Sequence, residues 1–454
     1  MNLIYGVKDK PKFGKLIVFA FQQVLAILAA TIVVPVIIND NVANAEVSFE
    51  MVPMDQAAAL FGAGIGTLVY LLFTKFKSPV FLGSSFAFLG SMTAAFAGAV
   101  SAQAGYVGLI LGAVFAGLVY VVIALVVKFA GVKWIGKLMP AVVIGPTVSI
   151  IGLSLAGNAV SDFQTSDFPG NSGNVYCCII VGLVTLFTVI LCSVYGKKMG
   201  KLIPFIIGIL AGYVVATVFT LIGNACGNDA LKIIDFSVFA NMKAIRVPDF
   251  TFLTALKGIK EIDAAYIATV AVAYVPVAFV VFAEHIADHK NLSSIIGQEL
   301  LEDPGLHRTL LGDGIGSMAG ALFGGCPNTT YGESIGCVAI TGNASVITIL
   351  TTAALCILIS FFGPFITFLS SIPSCVMGGV CITLYGFIAV SGLKMIQKVD
   401  LGDNANLFVV ATVLITGIGG LSVSFGKVTL TAVACALILG IIVNLLVSKK
   451  RNDA

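Results

Sequence analysis

Cys326-Pro-Asn-Thr-Thr-Tyr-Gly-Glu-Ser-Ile-Gly-Cys-Val-Ala-Ile-Thr341 begins as a poor helix and ends as a short apolar one. Pro79-Val-Phe-Leu-Gly-Ser-Ser-Phe-Ala-Phe-Leu-Gly90, far upstream, has the same build: proline, glycine, hydroxyl residues and an aromatic, then an apolar run. Both lie in tracts apolar enough to sit in lipid. Non-helical backbone at membrane depth is tolerated only where protein or a water-filled cavity satisfies its N–H and C=O groups. Paired interruptions of this kind point to a binding site within the membrane.

The rest of the chain supports a membrane setting. Of 454 residues, 58% are hydrophobic and 10% charged, against roughly 45–50% and about 25% in soluble domains. Single-span receptors, nucleic-acid binders and soluble enzymes are poor fits to that composition. Apolar runs lie at about 14–38, 57–74, 79–100, 105–128, 134–155, 174–194, 201–222, 264–289, 308–325, 329–341, 343–363, 372–393, 405–422 and 428–447. The first, from Leu16 to Ile38, is too long for a signal-peptide core and reads as a span. With the N-terminus inside, alternating spans place 19 of the 25 Lys and Arg residues on the cytoplasmic side, among them Lys133, Lys137, Lys198, Lys449 and Lys450. Five of the other six lie in the long loop 223–263, and Lys427 is the last. The expectation is an all-α polytopic membrane protein with fourteen transmembrane segments and both termini cytoplasmic. The ten cysteines show no CxxC pair or regular spacing and read as small core residues, Cys226 alone lying in a polar connection.

Three echoes suggest internal duplication. Pro140-Ala-Val-Val-Ile-Gly145 matches Pro373-Ser-Cys-Val-Met-Gly378, Gly83-Ser-Ser-Phe-Ala87 matches Asn328-Thr-Thr-Tyr-Gly332, and Pro35 matches Pro276. All three offsets correspond to seven spans. Seven is odd, so the second half lies inverted relative to the first, as in many secondary transporters.

Most acids fall near 40–55, 162–167, 229–263 and 299–313, regions read as loops; Glu284 and Glu333 do not. A carboxylate at the bilayer centre costs roughly 2.5–3.5 kcal/mol on insertion scales, so each is a candidate functional residue. No Lys or Arg lies within a helical turn of either on its apolar side, which weighs against a structural ion pair. Asp288 shares a helix face with Glu284, and two neighbouring acids resist ionising together, chemistry suited to taking up and releasing a proton. The bland reading leaves Asp288 solvated at the cytoplasmic surface beside Lys290. His285 and His289 point about 100° away from these acids around the helix, so a metal site is not expected. Leu292–Asp303 reads as an amphipathic cytoplasmic connector closing in the turn Asp303-Pro304-Gly305.

Ala283-Glu-His-Ile-Ala-Asp-His-Lys290, Glu299-Leu-Leu-Glu-Asp-Pro-Gly-Leu-His-Arg308 and the stretch 326–341 resemble the nucleobase–cation symporters of the nucleobase/ascorbate class, closest to their bacterial uracil-permease branch. Gly83–Phe88 and Pro373 with Gly378 fit as well, and the likeness covers nearly the whole chain. It implies two inverted seven-span repeats, with short strands opening spans 3 and 10 and pairing at the substrate site. It implies a core domain of spans 1–4 and 8–11 (residues 1–131 and 264–363) and a gate domain of spans 5–7 and 12–14 (132–222 and 364–454), with 223–263 an extracellular loop. Glu284 and Glu333 would hold the base, Phe86 and Gly332 would supply backbone amides and packing, and Tyr331 would line the site. Asp288 stands where the best-known member has a proton-coupling histidine. Gln22-Gln23 replaces the usual Gln-His pair, and Ser334 stands where Asn is usual. The implied activity is proton-coupled uracil import across the cytoplasmic membrane, with no cofactor beyond the proton and a homodimer by resemblance. Glu333 favours the pyrimidine branch, since purine transporters commonly carry Gln there. The rivals are a xanthine or other purine permease, an anion exchanger or channel of the same architecture, and a membrane metalloenzyme built on Glu284, His285, Asp288 and His289.

Overall fold

In the computed structural model, residues 3–451 are described except 46, 132–139, 167, 169–173, 198, 241 and 426–427. The opening of the run at 134–155 and the charges of Lys133, Lys137, Lys198 and Lys427 therefore lie outside the described residues, as do the side chains of Lys449 and Lys450.

The chain is mostly helical. α1 spans Phe13–Asn44 and α2 Gln56–Phe73. β1, Leu82–Ser84, leads through a 3-10 turn at Phe86–Phe88 into α3, Leu89–Ala97. α4 is Ala102–Ala130, α5 Ala141–Ser154, α6 Ala156–Phe163, α7 Val175–Tyr195 and α8 Pro204–Cys226. The long loop is partly ordered into short helical turns and α9, Thr251–Gly258, which packs on α4. α10, Ala264–Ile296, is followed by α11, Leu306–Gly324, β2, Asn328–Thr330, and α12, Gly332–Thr341. α13 is Val346–Ile359, α14 Gly363–Ser370, α15 Ser374–Ile396 and α16 Asn404–Ile418. A hairpin of β3, Val423–Phe425, and β4, Val428–Leu430, precedes α17, Ala432–Arg451.

Among the described residues, eight helices are long and apolar enough to cross a membrane: α1, α2, α4, α5 with α6, α7, α8, α10 and α15. The helices of the remaining runs are shorter or less apolar. α11 misses on hydropathy for a physical reason: it is rich in glycine and is sandwiched between α2 and α4 instead of facing lipid. A Cβ added at Gly62 of α2 would lie 2.4 Å from the Gly320 carbonyl oxygen of α11, so the two backbones touch in the manner of small-residue membrane interfaces. Large apolar side chains instead line the outer faces of α4, α7 and α8, where Val122, Phe187, Val194 and Val214 are exposed.

The connector after the eighth run begins as the end of α10, which runs on to Ile296; Leu292, Ser293, Ile296 and Leu300 are buried while Ser294, Gln298, Glu299 and Asp303 are exposed, so it has the two faces expected of it. The hairpin β3–β4 was not foreseen, and β4 packs on α10.

The helices pack as two groups. α1 contacts α2, α3, α12 and α13, while α4 and α2 hold α11 between them and α10 lies against α3, α4 and α12. In the second group α5 packs on α15, α16 and α17, and α7 on α8 and α15. β1 and β2 pair antiparallel inside the first group, in the register Leu82↔Thr330, Gly83↔Thr329, Ser84↔Asn328. The ladder is prolonged by Tyr331 N–H to the Phe81 carbonyl (3.2 Å) and Ser85 N–H to the Pro327 carbonyl (2.9 Å). α2 anchors both strands: the Leu82 N–H donates to Thr67 Oγ1 (2.9 Å) and Asn328 Nδ2 to the Gly62 carbonyl (3.0 Å). Every broken-backbone polar group that is tied in this way is spared an unpaired place in hydrocarbon.

Candidate functional site

Both strands end at a cavity of about 390 Å³ between the two helix groups. The first group contributes Phe86 from the turn after β1, Glu284 and Asp288 from α10, and Tyr331, Gly332 and Glu333 from the β2–α12 junction. All six candidates from the sequence thus face one space. The second group closes it with an apolar wall, including Ile151 of α5, Phe205 of α8 and Phe387 and Met395 of α15.

α10 presents Glu284 and Asp288 one turn apart on the same face, Glu284 exposed into the cavity and Asp288 half-buried. Thr330 Oγ1, from the last residue of β2, donates to Asp288 Oδ2 at 2.8 Å, so Asp288 belongs to the cavity and not to the cytoplasmic surface. Glu333 sits in the first turn of α12, half-buried, where its negative charge is favoured by the helix dipole. The first turns beginning at Phe86 and Gly332 open on the same space, and N–H groups at such starts have no intrahelical acceptor. The site therefore offers carboxylate acceptors and backbone donors together, beside an aromatic ring. Phe86 also meets Tyr385 of α15 edge to face, with centroids 6.2 Å apart, making it a contact between the groups. Tyr331 lines the cavity, but its hydroxyl is committed to the Ser84 carbonyl at 2.8 Å, so it braces the strand pair.

Two departures from the family pattern turn out to be partners. Gln23 of α1, buried, donates from Nε2 to Ser334 Oγ (2.5 Å) and to the Ser334 carbonyl (3.2 Å), and Ser334 Oγ accepts from the Phe81 N–H. A long amide thus meets a short hydroxyl behind Glu333.

Sequence reasoning missed Asp313. Grouped with the loop acids, it lies within α11, fully buried, with Oδ2 accepting from His285 Nδ1 at 2.7 Å. His285 Nε2 bonds Thr309 Oγ1 (2.9 Å), His289 Nδ1 donates to the His285 carbonyl (2.8 Å), and His289 Nε2 bonds the Tyr70 hydroxyl (2.7 Å). These rings are engaged in a hydrogen-bonded core behind the acids. Among the described residues no group of three or more His, Cys, Asp or Glu side chains is placed to hold a metal ion. The signal for Asp313 was an acid inside the apolar run 308–325, flanked by Gly312 and Gly314.

A sequence profile described as the permease family matches residues 14–426. The chain belongs to the permease family. This permease is 37% identical to the uracil permease of Bacillus caldolyticus, over 99% of its own length and 96% of that protein's. It is 32% identical to the uracil permease of Escherichia coli K12, over 96% and 92% of the two chains. Permeases are transporters and not enzymes, and this one is a multi-pass membrane protein. Its fold is shared with the transmembrane domain of a cyanobacterial bicarbonate transporter, BicA, at a TM-score of 0.58 and 16% identity, covering 96% of this chain and 99% of that one.

Proposed function

We propose that the permease imports uracil with a proton across the cytoplasmic membrane, by alternating access. The observation that carries the reading is the convergence of Glu284, Asp288 and Glu333 with two strand-to-helix junctions on one cavity. Its size falls within the range of small-molecule sites, about 300–1,000 Å³. Uracil alternates N–H donors with C=O acceptors around its rim. Glu284 and Glu333 accept from the former, the backbone amides at Phe86 and Gly332 donate to the latter, and the Phe86 ring packs on the base. Asp288, one turn from Glu284, shares the coupling proton with it. The strong identity to proteins named uracil permeases supports the substrate.

In this reading the two helix groups are core and gate, the core carrying the base past the apolar wall of α5, α8 and α15. The fourteen runs form two inverted seven-span repeats, with both termini cytoplasmic. Support comes from the antiparallel pairing of β1 with β2, the two equivalent segments, and from the packing of α5 on α15, which hold the Pro140 and Pro373 echoes.

The shared fold with a bicarbonate transporter raises an anion carrier as the rival. An anion site at two helix starts exploits their positive dipole ends, and three carboxylates in the cavity oppose that. Uptake of labelled uracil into proteoliposomes, with and without an acid-outside gradient, is the deciding measurement. Uptake blocked by unlabelled xanthine but not by unlabelled uracil would overturn the pyrimidine assignment.

A further inference from the structure

Phe86 has a cavity on each side. A second space of about 450 Å³ shares Phe86, Ala87 and Ile151 with the first. Its polar lining includes Asn41, Ser91, Thr93 and Asn158, and no carboxylate. Val277 of α10 also lines it, two helical turns from Glu284, so it lies on the side away from the cytoplasm by the count of basic residues. Asn41 and Asn158 also line a smaller pocket of about 70 Å³ that includes Asp40 and Asp162. All three spaces are lined from both helix groups, and neighbouring ones share residues.

A polar contact crosses the interface of the two groups beside the second cavity. Asn158 Nδ2 of α6 donates to Asn41 Oδ1 of α1, and Asn41 Nδ2 donates in turn to Thr93 Oγ1 of α3 at 3.3 Å. α1 and α3 belong to the first group and α6 to the second. An amide-to-amide bond sets one N–H against one C=O, the same complement offered by the edge of a cyclic amide or imide.

We propose that the second cavity is an outer station for the base and that the Asn41–Asn158 pair is its latch. An incoming neutral, planar cyclic imide exchanges its own N–H and C=O for the amide-to-amide bond, which releases α6 from α1 and lets the groups shift. With no acid in its lining, the station takes the base without a proton, and protonation belongs to the cavity beyond Phe86. The inference rests on the uracil reading for its ligand.

Asn41→Ala and Asn158→Ala in proteoliposomes should each raise the KM for uracil uptake about tenfold, equivalent to about 1.4 kcal/mol, while the Kd of the purified protein for uracil stays within about twofold of the parent. The retained Kd also shows that the variants fold. An unchanged KM overturns the station. In Asn41→Cys/Asn158→Cys, a short bis-thiosulfonate bridge should stop uptake reversibly and leave Kd alone, with the parent protein controlling for exposed Cys226. Uptake that continues with the bridge formed overturns the latch. If the parent binds no uracil, the substrate reading fails and the latch is read separately. Ser91, buried in this lining, is replaced by Cys, and the bridge should slow its reaction with a membrane-impermeant maleimide about tenfold. A rate indifferent to the bridge refutes it.

Discussion

Glu333 and Asp288 line the same cavity but have different neighbours, and so predict different phenotypes. Glu333 stands at a helix start facing the cavity, and a charge-assisted hydrogen bond is worth about 1.5–3 kcal/mol. Glu333→Gln should weaken uracil binding by about 10–100-fold or turn preference toward purines, measured by equilibrium binding and competition; unchanged affinity would remove it from the site. Asp288 already accepts from Thr330. With the proton drawn from outside, parent uptake should fall as external pH rises, and Asp288→Asn should keep substantial binding while flattening that profile. Asp313 is different again: a buried donor left without its acceptor costs roughly 1–3 kcal/mol, so Asp313→Ala, which abandons His285, should lower the thermal midpoint in detergent. Asp288 was legible because it shares a helix face with Glu284, and Glu284 and Glu333 because an acid in an apolar run is costly. Asp313 obeys the same rule, but its nearness to the turn at Asp303-Pro304-Gly305 disguised it as a loop residue.

Among elements, the strand pair is the most constrained. Gly83 lies opposite Thr329, and a Cβ there would sit 2.3 Å from the Tyr331 ring. Gly83→Val should therefore force Tyr331 off Ser84, cost roughly 1–3 kcal/mol by overpacking, and abolish uracil binding in protein that still reaches the membrane. Retained binding would mean the pair does not shape the site. The sequence showed that both segments break, but not that they are strands, since three residues are too few to display a period of two; strand identity came only with the family resemblance. β3–β4 was hidden for a related reason. Its residues fall between and just inside two apolar runs, where Val423-Ser-Phe-Gly-Lys-Val-Thr-Leu430 reads as a gap followed by more helix.

For the whole molecule, an acid-outside gradient should drive uracil above its equilibrium level inside vesicles, and a protonophore should return it to that level; accumulation indifferent to the protonophore would refute coupling. Helix positions were largely legible from the length and polarity of the runs. A partition into packed groups was not legible there, because hydropathy does not say whether lipid or protein covers an apolar face; only the family resemblance implied a two-domain division. The join of β1 to β2 also governs biogenesis. Their partners come from opposite halves of the chain, so on the proposed function a nascent polypeptide has no base-binding surface until translation has passed Thr330 and the later segments have inserted. Uracil added to cells should then rescue a destabilised variant only by mass action on the completed protein, as a pharmacological chaperone for late maturation and not for early insertion.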